Sequence, residues 1–304
     1  MANTKTSTSS YTFGDASGRT IGNREDLLDV ITNISPDETP LMKKFGRSTV
    51  TGMVHSWLTD TLDTPGENAQ LEDADFTTTL STPRVKLDNY IQIFMRDCTV
   101  TDSQEAVLKA GVKSELAYQM QKTLKAIAQD VEWAIVNNDA GVQGTSTVPG
   151  KFGGIPYFVN STKTAPNVIT ASGALTENHL HDAIQAAWKQ GGIPDLCVVS
   201  GANKRVISGF TGNASRQRNA DSTKIKQVVD VYESDFGMIN MLLHRMMPDK
   251  RIDLLQSEYW KLAYLIPFKT MEKPKNSLLS GKVVTGQLTL ECRSPLANAR
   301  IDIA

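Results

Sequence analysis

The chain has 304 residues, 40% of them hydrophobic and 21% charged, with a net charge of −1. This is an ordinary soluble composition with room for one large domain or two linked subdomains. It excludes the strongly basic class of nucleic-acid-binding domain, whose pI exceeds about 9. Cys98, Cys197 and Cys292 form neither a disulfide framework nor a Cys-x-x-Cys metal pair, which points to a reducing folding compartment. No apolar run approaches the roughly 18 residues of a membrane span. Residues 1–20 are rich in Ser, Thr and Gly and lack an apolar stretch, so they read as a mobile tail and not as a secretory signal.

Residues 1–24 read as an arm, and residues 25–34 as a short helix with Leu27, Leu28 and Ile31 on one face and Asn23 as cap. Pro36 and Pro40 then break regular structure. Residues 50–62 read as a strand, and a polar stretch over 63–83 separates it from a second one. From Val85 the pattern alternates, with Val85, Leu87, Ile91, Ile93 and Met95 on the buried side and Lys86, Asp88, Gln92 and Arg96 between them. Two long strands joined by roughly twenty polar residues make a hairpin arm, and an isolated hairpin is marginal in water. The tip over 66–73 carries too few apolar groups to offset the entropy of ordering it, so it is expected to order only against another subunit.

After Thr99 the period changes, and Leu116, Met120, Leu124, Ile127, Val131 and Ile135 form one helical stripe. Asp102 is the expected cap, Glu105 completes a capping box, and Gly141 follows the stop. The expected helix has about 36 residues and a length of roughly 54 Å, about three times the average. Such extension suits a subunit that overlaps its neighbours. Beyond a glycine-rich loop ending at Gly154 the elements become short. Leu180, Ala183, Ile184, Ala187 and Trp188 mark a helix, 196–199 a buried strand, and 203–210 another helix. Strands are expected at 225–232, 238–244, 252–255 and 259–265, which together indicate a mixed α/β subdomain. Residues 282–302 read as one or two strands returning to the first layer.

Chemistry is sparse. The loop over 144–152 resembles a Walker loop only loosely: five residues separate Gly144 from Gly150, Pro149 has no N–H to donate, and Phe152 stands where a magnesium hydroxyl is needed. Ser200 lacks the flanking glycines of a nucleophile elbow, with Val198 and Ala202 in their places, and reads as a helix cap. His179 and His181 are two apart on a helix and cannot share a metal as an i, i+4 pair could. Asp37 with Glu38, and Glu72 with Asp73 and Asp75, lie in polar loops without an apolar wall to raise a pKa. Arg216, Arg218, Lys224 and Lys226 form the densest basic patch, either a solvated loop or a loop meeting acidic neighbours at an assembly axis.

An ordered set of short strings carries a likeness: Asn33-Ile34-Ser35-Pro36, Thr39-Pro40, His55-Ser56-Trp57 and Glu67-Asn68-Ala69. Tyr118-Gln119, Asp130-Val131-Glu132 and Leu288-Thr289-Leu290-Glu291-Cys292-Arg293 extend it. The chain resembles the major capsid (major head) proteins of tailed bacteriophages, with the Hong Kong 97-like (Johnson) fold. The resemblance implies an α+β layout: an N-terminal arm over 1–48, an extended E-loop hairpin over 49–100, and a peripheral domain with a spine helix over 101–175. An axial α/β domain over 176–265 and a return to the peripheral domain over 266–304 complete it.

The implied function is self-assembly into pentamers and hexamers of an icosahedral shell around double-stranded DNA, made in the host cytoplasm and retained in the virion. No enzymatic activity, catalytic residue, cofactor or metal is implied. The implied partners are other copies, a portal, decoration or scaffolding proteins and non-specifically held DNA, with no membrane. Only a short tail precedes the arm, so a fused scaffolding segment is not expected, and no Lys–Asn pair is singled out for crosslinking. The candidate interface residues are His55, Trp57, Glu67, Glu72, Arg84, Arg216 and Arg218. Trp57 is the anchor candidate, since aromatic residues dominate hot spots; packing within its own hairpin is the alternative. Two other readings of the chain remain at this point, an encapsulin-type nanocompartment shell and a soluble α/β enzyme.

Overall fold

A computed structural model describes residues 38–62, 65–67, 69, 71–72, 83–107, 111–210, 231–275 and 277–303. The expected arm at 1–24 and helix at 25–34, most of the polar stretch over 63–83, residues 225–230 of an expected strand, and Arg216, Arg218, Lys224 and Lys226 lie outside the described residues.

The described chain opens with α1 (Pro40–Lys44), where a proline at the first helical position forfeits no hydrogen bond and Leu41 is buried. β1 (Gly46–Thr49) follows, then the antiparallel strands of the arm, β2 (Val54–Thr59) and β3 (Val85–Tyr90), with Trp57 opposite Leu87. β4 (Gln92–Thr101) begins one residue later, beyond Ile91. The strand expected to run unbroken from Val85 is therefore two strands in different sheets, and the buried phase reverses at the joint. Leu87, Asn89 and Ile91 turn inward before it, and Phe94, Cys98 and Val100 after it, so Ile93 and Met95 point outward. A slip of one residue exchanges the faces of a strand. Both sets of positions carry apolar residues here, and the kink at Ile91 chooses between them.

The long helix is also interrupted. α2 (Asp102–Ala106) is a short turn capped by Thr101, one residue before the expected cap, whose hydroxyl accepts from the Gln104 amide. The chain leaves helical geometry at Val107 and passes through Gly111 at φ +84°, a left-handed conformation open to glycine. α3 (Glu115–Asn137) then runs for 23 residues, about 34 Å. Glu105, expected to box its own helix, accepts instead from the amides of Glu115 at 3.0 Å and Leu116 at 3.2 Å, and so caps α3. Of the expected stripe, Ile127, Val131 and Ile135 are buried, Leu116 and Met120 partly so, and Leu124 is exposed.

α4 (Ile155–Phe158), β5 (Val168–Ala171), α5 (Glu177–Lys189), β6 (Leu196–Val199), α6 (Gly201–Ser208), β7 (Val231–Ser234) and β8 (Gly237–Leu243) follow. The chain closes with β9 (Arg251–Leu255), β10 (Trp260–Glu272), β11 (Leu279–Cys292) and β12 (Ala299–Ile303). Ser200 accepts from the Asn203 amide and caps α6, as its sequence context predicts. Leu180, Ala183, Ile184 and Ala187 of α5 are buried, but Trp188 is exposed.

Three sheets organise these strands: the β2–β3 ribbon, a four-stranded sheet ordered β1-β10-β11-β4, and a six-stranded sheet ordered β5-β12-β9-β6-β8-β7. The six-stranded sheet is a wall between two cores. Leu196, Val198 and Leu255 enter the core shared with α3, whereas Cys197, Val199, Ile252 and Leu254 enter the core beneath α5 and α6. Burial on both faces explains why β6 is continuously apolar and not alternating. Sheet membership also cuts across the expected linear boundaries. β5, before residue 176, and β12, after 266, pair in the six-stranded sheet, while β10 joins the four-stranded sheet from Trp260 onward.

Candidate assembly surfaces

Among the described residues the β2–β3 ribbon has no third strand, so side-chain contacts at its base must fix its direction. The Trp57 indole N–H donates to the Cys292 carbonyl at 3.0 Å, and its ring centroid lies 5.9 Å from Phe158 and 5.2 Å from His55. His55 Nε2 sits 3.2 Å from Glu291 Oε2, which also accepts from the Ser48 hydroxyl at 3.2 Å. Arg293 Nε donates to Oε1 of the same carboxylate at 2.8 Å. The His55 hydrogen bond outweighs burial and, with Arg293, holds the Glu291 carboxyl down at about 2.

Asn89 completes the base. Its Nδ2 donates to the carbonyls of Gly153 at 2.9 Å and Leu290 at 2.7 Å, and its Oδ1 accepts from the amides of Tyr90 at 2.9 Å and Gly153 at 2.8 Å. A fully buried amide is thereby satisfied on both sides, as burial demands. Trp57, partly buried, thus packs against His55 of its own ribbon and against Phe158 of the body, and ties the two together.

The glycine-rich loop has a packing role. A Cβ at Gly154 would lie 2.5 Å from the Ile135 carbonyl oxygen and 2.6 Å from that of Ala134, so only glycine lets the loop cross the end of α3. The Gly154 amide donates to the Asn138 carbonyl at 2.9 Å, and Asn138 Nδ2 donates to the Phe152 carbonyl at 2.8 Å. The first bond satisfies a carbonyl that the end of α3 leaves open, and the second ties the loop to the same end.

A second clasp is built on Glu132, fully buried in α3. Oε1 accepts from the Leu41 amide at 2.7 Å and from His244 Nε2 at 3.0 Å, and Oε2 accepts from the Met42 amide at 3.1 Å. The Met246 amide donates to His244 Nδ1 at 3.2 Å, so the bonding pattern assigns the histidine proton to Nε2. One carboxylate therefore caps α1 and ties both it and the loop after β8 to α3. Close by, the Arg251 guanidinium donates to the Val136 carbonyl in the last turn of α3 and stands 3.0 Å from Asp253. Burial pushes the Asp253 carboxyl above its usual range, against the pull of Arg251 and Arg300. Sequence reasoning missed Glu132 as a clasp. Its one signal is a charge set between Val131 and Ala134 in the apolar end of the helix.

The remaining candidates scatter. Arg84 is exposed and pairs with Asp60 across the ribbon at 3.3 Å, and Glu67 and Glu72 are exposed on the arm. His179 joins a capping box with Thr176, and His181 Nε2 lies 2.8 Å from the Tyr232 hydroxyl. Burial and the nearby Glu177 push that hydroxyl up to about 12. Among the described residues no group of three or more His, Cys, Asp or Glu is placed to hold a metal. No described helix is long and apolar enough to cross a membrane. What the arm does carry is apolar surface: Leu58, Leu62, Leu71 and Val85 all stand in solvent, Leu62 at 99% exposure.

An arm fixed at its base with apolar residues along its length is a feature expected of interlocking subunits. The family model of the SU10 major capsid protein matches residues 4–304. The chain belongs to the SU10 major capsid protein family. The major capsid protein of Escherichia phage Phieco32 is 22% identical over 328 residues, covering 91% of this chain and 93% of that one. Among solved structures, the capsid of the native GTA particle superposes with a TM-score of 0.69 at 10% identity, over 93% of this chain and 95% of that one. Gordonia phage Cozz gives 0.66 at 13% identity, over 100% and 98%. The capsid of cyanophage P-SCSP1u gives 0.57 at 11% identity, over 92% and 93%. At such identities the structures carry the fold alone, and it is the Hong Kong 97-like capsid fold. This SU10-family chain is a major capsid protein, a structural component of a virion built as a multi-subunit shell. Neither a nanocompartment shell nor an enzyme draws support from these relatives.

Proposed function

We propose that this SU10-family subunit forms the pentamers and hexamers of an icosahedral shell enclosing the double-stranded DNA of a tailed bacteriophage. Assembly takes place in the host cytoplasm, with a portal and scaffolding or decoration proteins as further partners. The observation that carries this reading is the β2–β3 arm, which is tied to the body by His55, Trp57 and Asn89 and runs outward unpaired with its apolar residues in solvent. An isolated two-stranded ribbon gains stability only from a partner. In a shell, each arm lies over the next copy, and obligate interfaces of this kind bury about 2,000–5,000 Å².

In this reading His55 and Trp57 set the direction of the arm. Glu67, Glu72 and Arg84 meet the neighbour, and Arg216 and Arg218 face an assembly axis. DNA is held without sequence reading, in keeping with a net charge of −1. No catalytic step, cofactor or metal has a role. Sedimentation and negative-stain microscopy of the purified protein test it: closed particles of megadalton mass are expected. A species that remains a small oligomer at every concentration would rule it out.

A further inference from the structure

We propose, independently of the shell reading above, that Arg251, Asp253, Arg300 and Asp302 form a proton-sensitive joint between the six-stranded sheet and the C-terminal end of α3, in which the proton on Asp253 decides whether Arg251 holds that end.

β9 and β12 are antiparallel neighbours, with Asp253 opposite Arg300 and Arg251 opposite Asp302. Residues two apart on a strand share a face, and so do residues directly opposed across a ladder. The four charges therefore make one square on one side of the sheet. That side is turned to the core of α3. Arg251 donates to the Val136 carbonyl in the last turn of the helix, and Arg300 Nη1 to the Val159 carbonyl at 3.4 Å. Beside Asp253 on β6 stands Val198, apolar and fully buried.

The square can pair in two ways. Across the strands each arginine faces an aspartate whose Cβ lies about 5 Å from its own, the ordinary setting of a cross-strand ion pair. The structure uses the other way. Arg300 Nε donates to Asp302 on its own strand, and Arg251 spends Nη2 on the helix end. Arg251 Nε stands 3.0 Å from Asp253 Oδ2 but out of line for a hydrogen bond. Asp253 is fully buried, and among the described residues neither of its oxygens accepts a hydrogen bond.

A carboxylate in that position is a buried charge without its bonds, which proteins either neutralise or pair. As a neutral acid Asp253 needs no cation, and burial favours that form against the pull of the two arginines. Loss of the proton to water, past the partly exposed Asp302, reverses the preference. The carboxylate then draws Arg300 across from Asp302 and Arg251 away from Val136. Rotamer changes suffice, because the register already sets the pairs. The last carbonyls of a helix have no donor of their own and favour a cation, so α3 frays when Arg251 leaves. The Gly154 amide hangs on the Asn138 carbonyl at the same end, and the loosening reaches the loop.

The direction follows from linkage. The folded carboxyl titrates above its unfolded value, so the arrangement is complete in acid and is lost as pH rises through the folded value. The charges acting on Asp253 are Arg251, Arg300 and Asp302. Cys197 of β6 belongs to the core across the sheet, and its thiol is pushed up to about 12. α3 itself carries the buried Glu132–His244 pair, which a test must tell apart.

Hydrogen exchange of the full-length chain from about pH 4 to about pH 9, corrected for intrinsic rates, reads the joint at the amides of Asn137, Asn138 and Gly154. In wild type, protection is expected to be level in acid and then to fall by up to about ten-fold per pH unit above the folded value of Asp253. Asp253→Asn, a neutral side chain of the same shape, is expected to keep protection level throughout. Asp302 raises the Asp253 carboxyl and Arg300 lowers it. Asp302→Asn should therefore move the step to lower pH and Arg300→Gln to higher pH, whereas side chains that only fill space would change the level of protection and leave the step in place. These two partly exposed positions decide the matter if Asp253→Asn does not fold. Level protection in wild type, or a step that neither partner variant moves, would overturn the joint. A step that persists in Asp253→Asn would overturn it too and hand the titration to Glu132 and His244.

Discussion

Replacing Glu132 with Gln keeps the shape of the clasp and takes away one acceptor. The carboxylate receives three hydrogen bonds, from Leu41, Met42 and His244, and is fully buried, so no solvent can replace what is lost. A carboxamide has one oxygen and one NH2. With the oxygen at the Oε1 position, the NH2 confronts the Met42 N–H; flipped, it confronts both the Leu41 N–H and the His244 Nε2–H. Either way a donor meets a donor, and the surviving bonds lose their charge assistance. An unsatisfied buried group costs about 1–3 kcal/mol and a charge-assisted bond is worth about 1.5–3 kcal/mol, so the expected loss is about 3 kcal/mol. At about 2 °C per kcal/mol for a chain this long, the melting transition should fall by about 6 °C. Hydrogen exchange locates the effect. Amides of Leu41, Met42 and Phe45 should exchange faster, while those of α5, which belong to the other core, should not change. A melting shift below about 1 °C with unaltered exchange at Leu41 would refute the clasp.

Four further outcomes are expected. Glu291 has a folded value of about 2 against an ordinary 4.5, so its contribution is fully present above about pH 4.5 and is lost as pH falls toward 2. The stability gap between wild type and Glu291→Gln, about 2 kcal/mol once screening at the half-exposed Arg293 is counted, should therefore be flat above pH 5 and close in acid denaturation series below it. Gly154→Ala drives a methyl group into two helix-end carbonyls and should cost more than about 2 kcal/mol, read as a lower urea midpoint. Trp57→Phe removes the bond to the Cys292 carbonyl but keeps an aromatic ring against Phe158; a loss of about 1 kcal/mol and faster exchange confined to β2 and β3 are expected. Cys197 and Cys292 are fully buried, with Cys197 pushed up to about 12 and Cys292 higher still, so neither should be alkylated in the native state at pH 8, as intact-mass measurement will report.

Parts of the candidate surfaces were legible because their signals are local. The cap at Ser200, the apolar stripe of α5 and the continuous apolar run of β6 are each contained within a few residues, and the structure keeps them. The end of α3 at Asn137 follows from the same kind of signal. The break between α2 and α3 had a local signal too, Gly111, but the long stripe on either side masked it.

Length, composition and periodicity by themselves determined that this chain has an extended arm, a spine helix and a mixed α/β portion, and short ordered strings placed it among phage capsid proteins. They could not decide which face of β4 is buried, because Ile93 and Met95 match the pattern as well as Phe94 and Cys98 do. Nor could they show that Glu132 meets an amide 91 residues away, or that His55 meets a carboxylate 236 residues away. Periodicity and capping are energies of neighbours along the chain, so the sequence records them directly. Strand phase, sheet partner and the burial of a polar group are energies of neighbours in space, and only the folded chain brings those residues together.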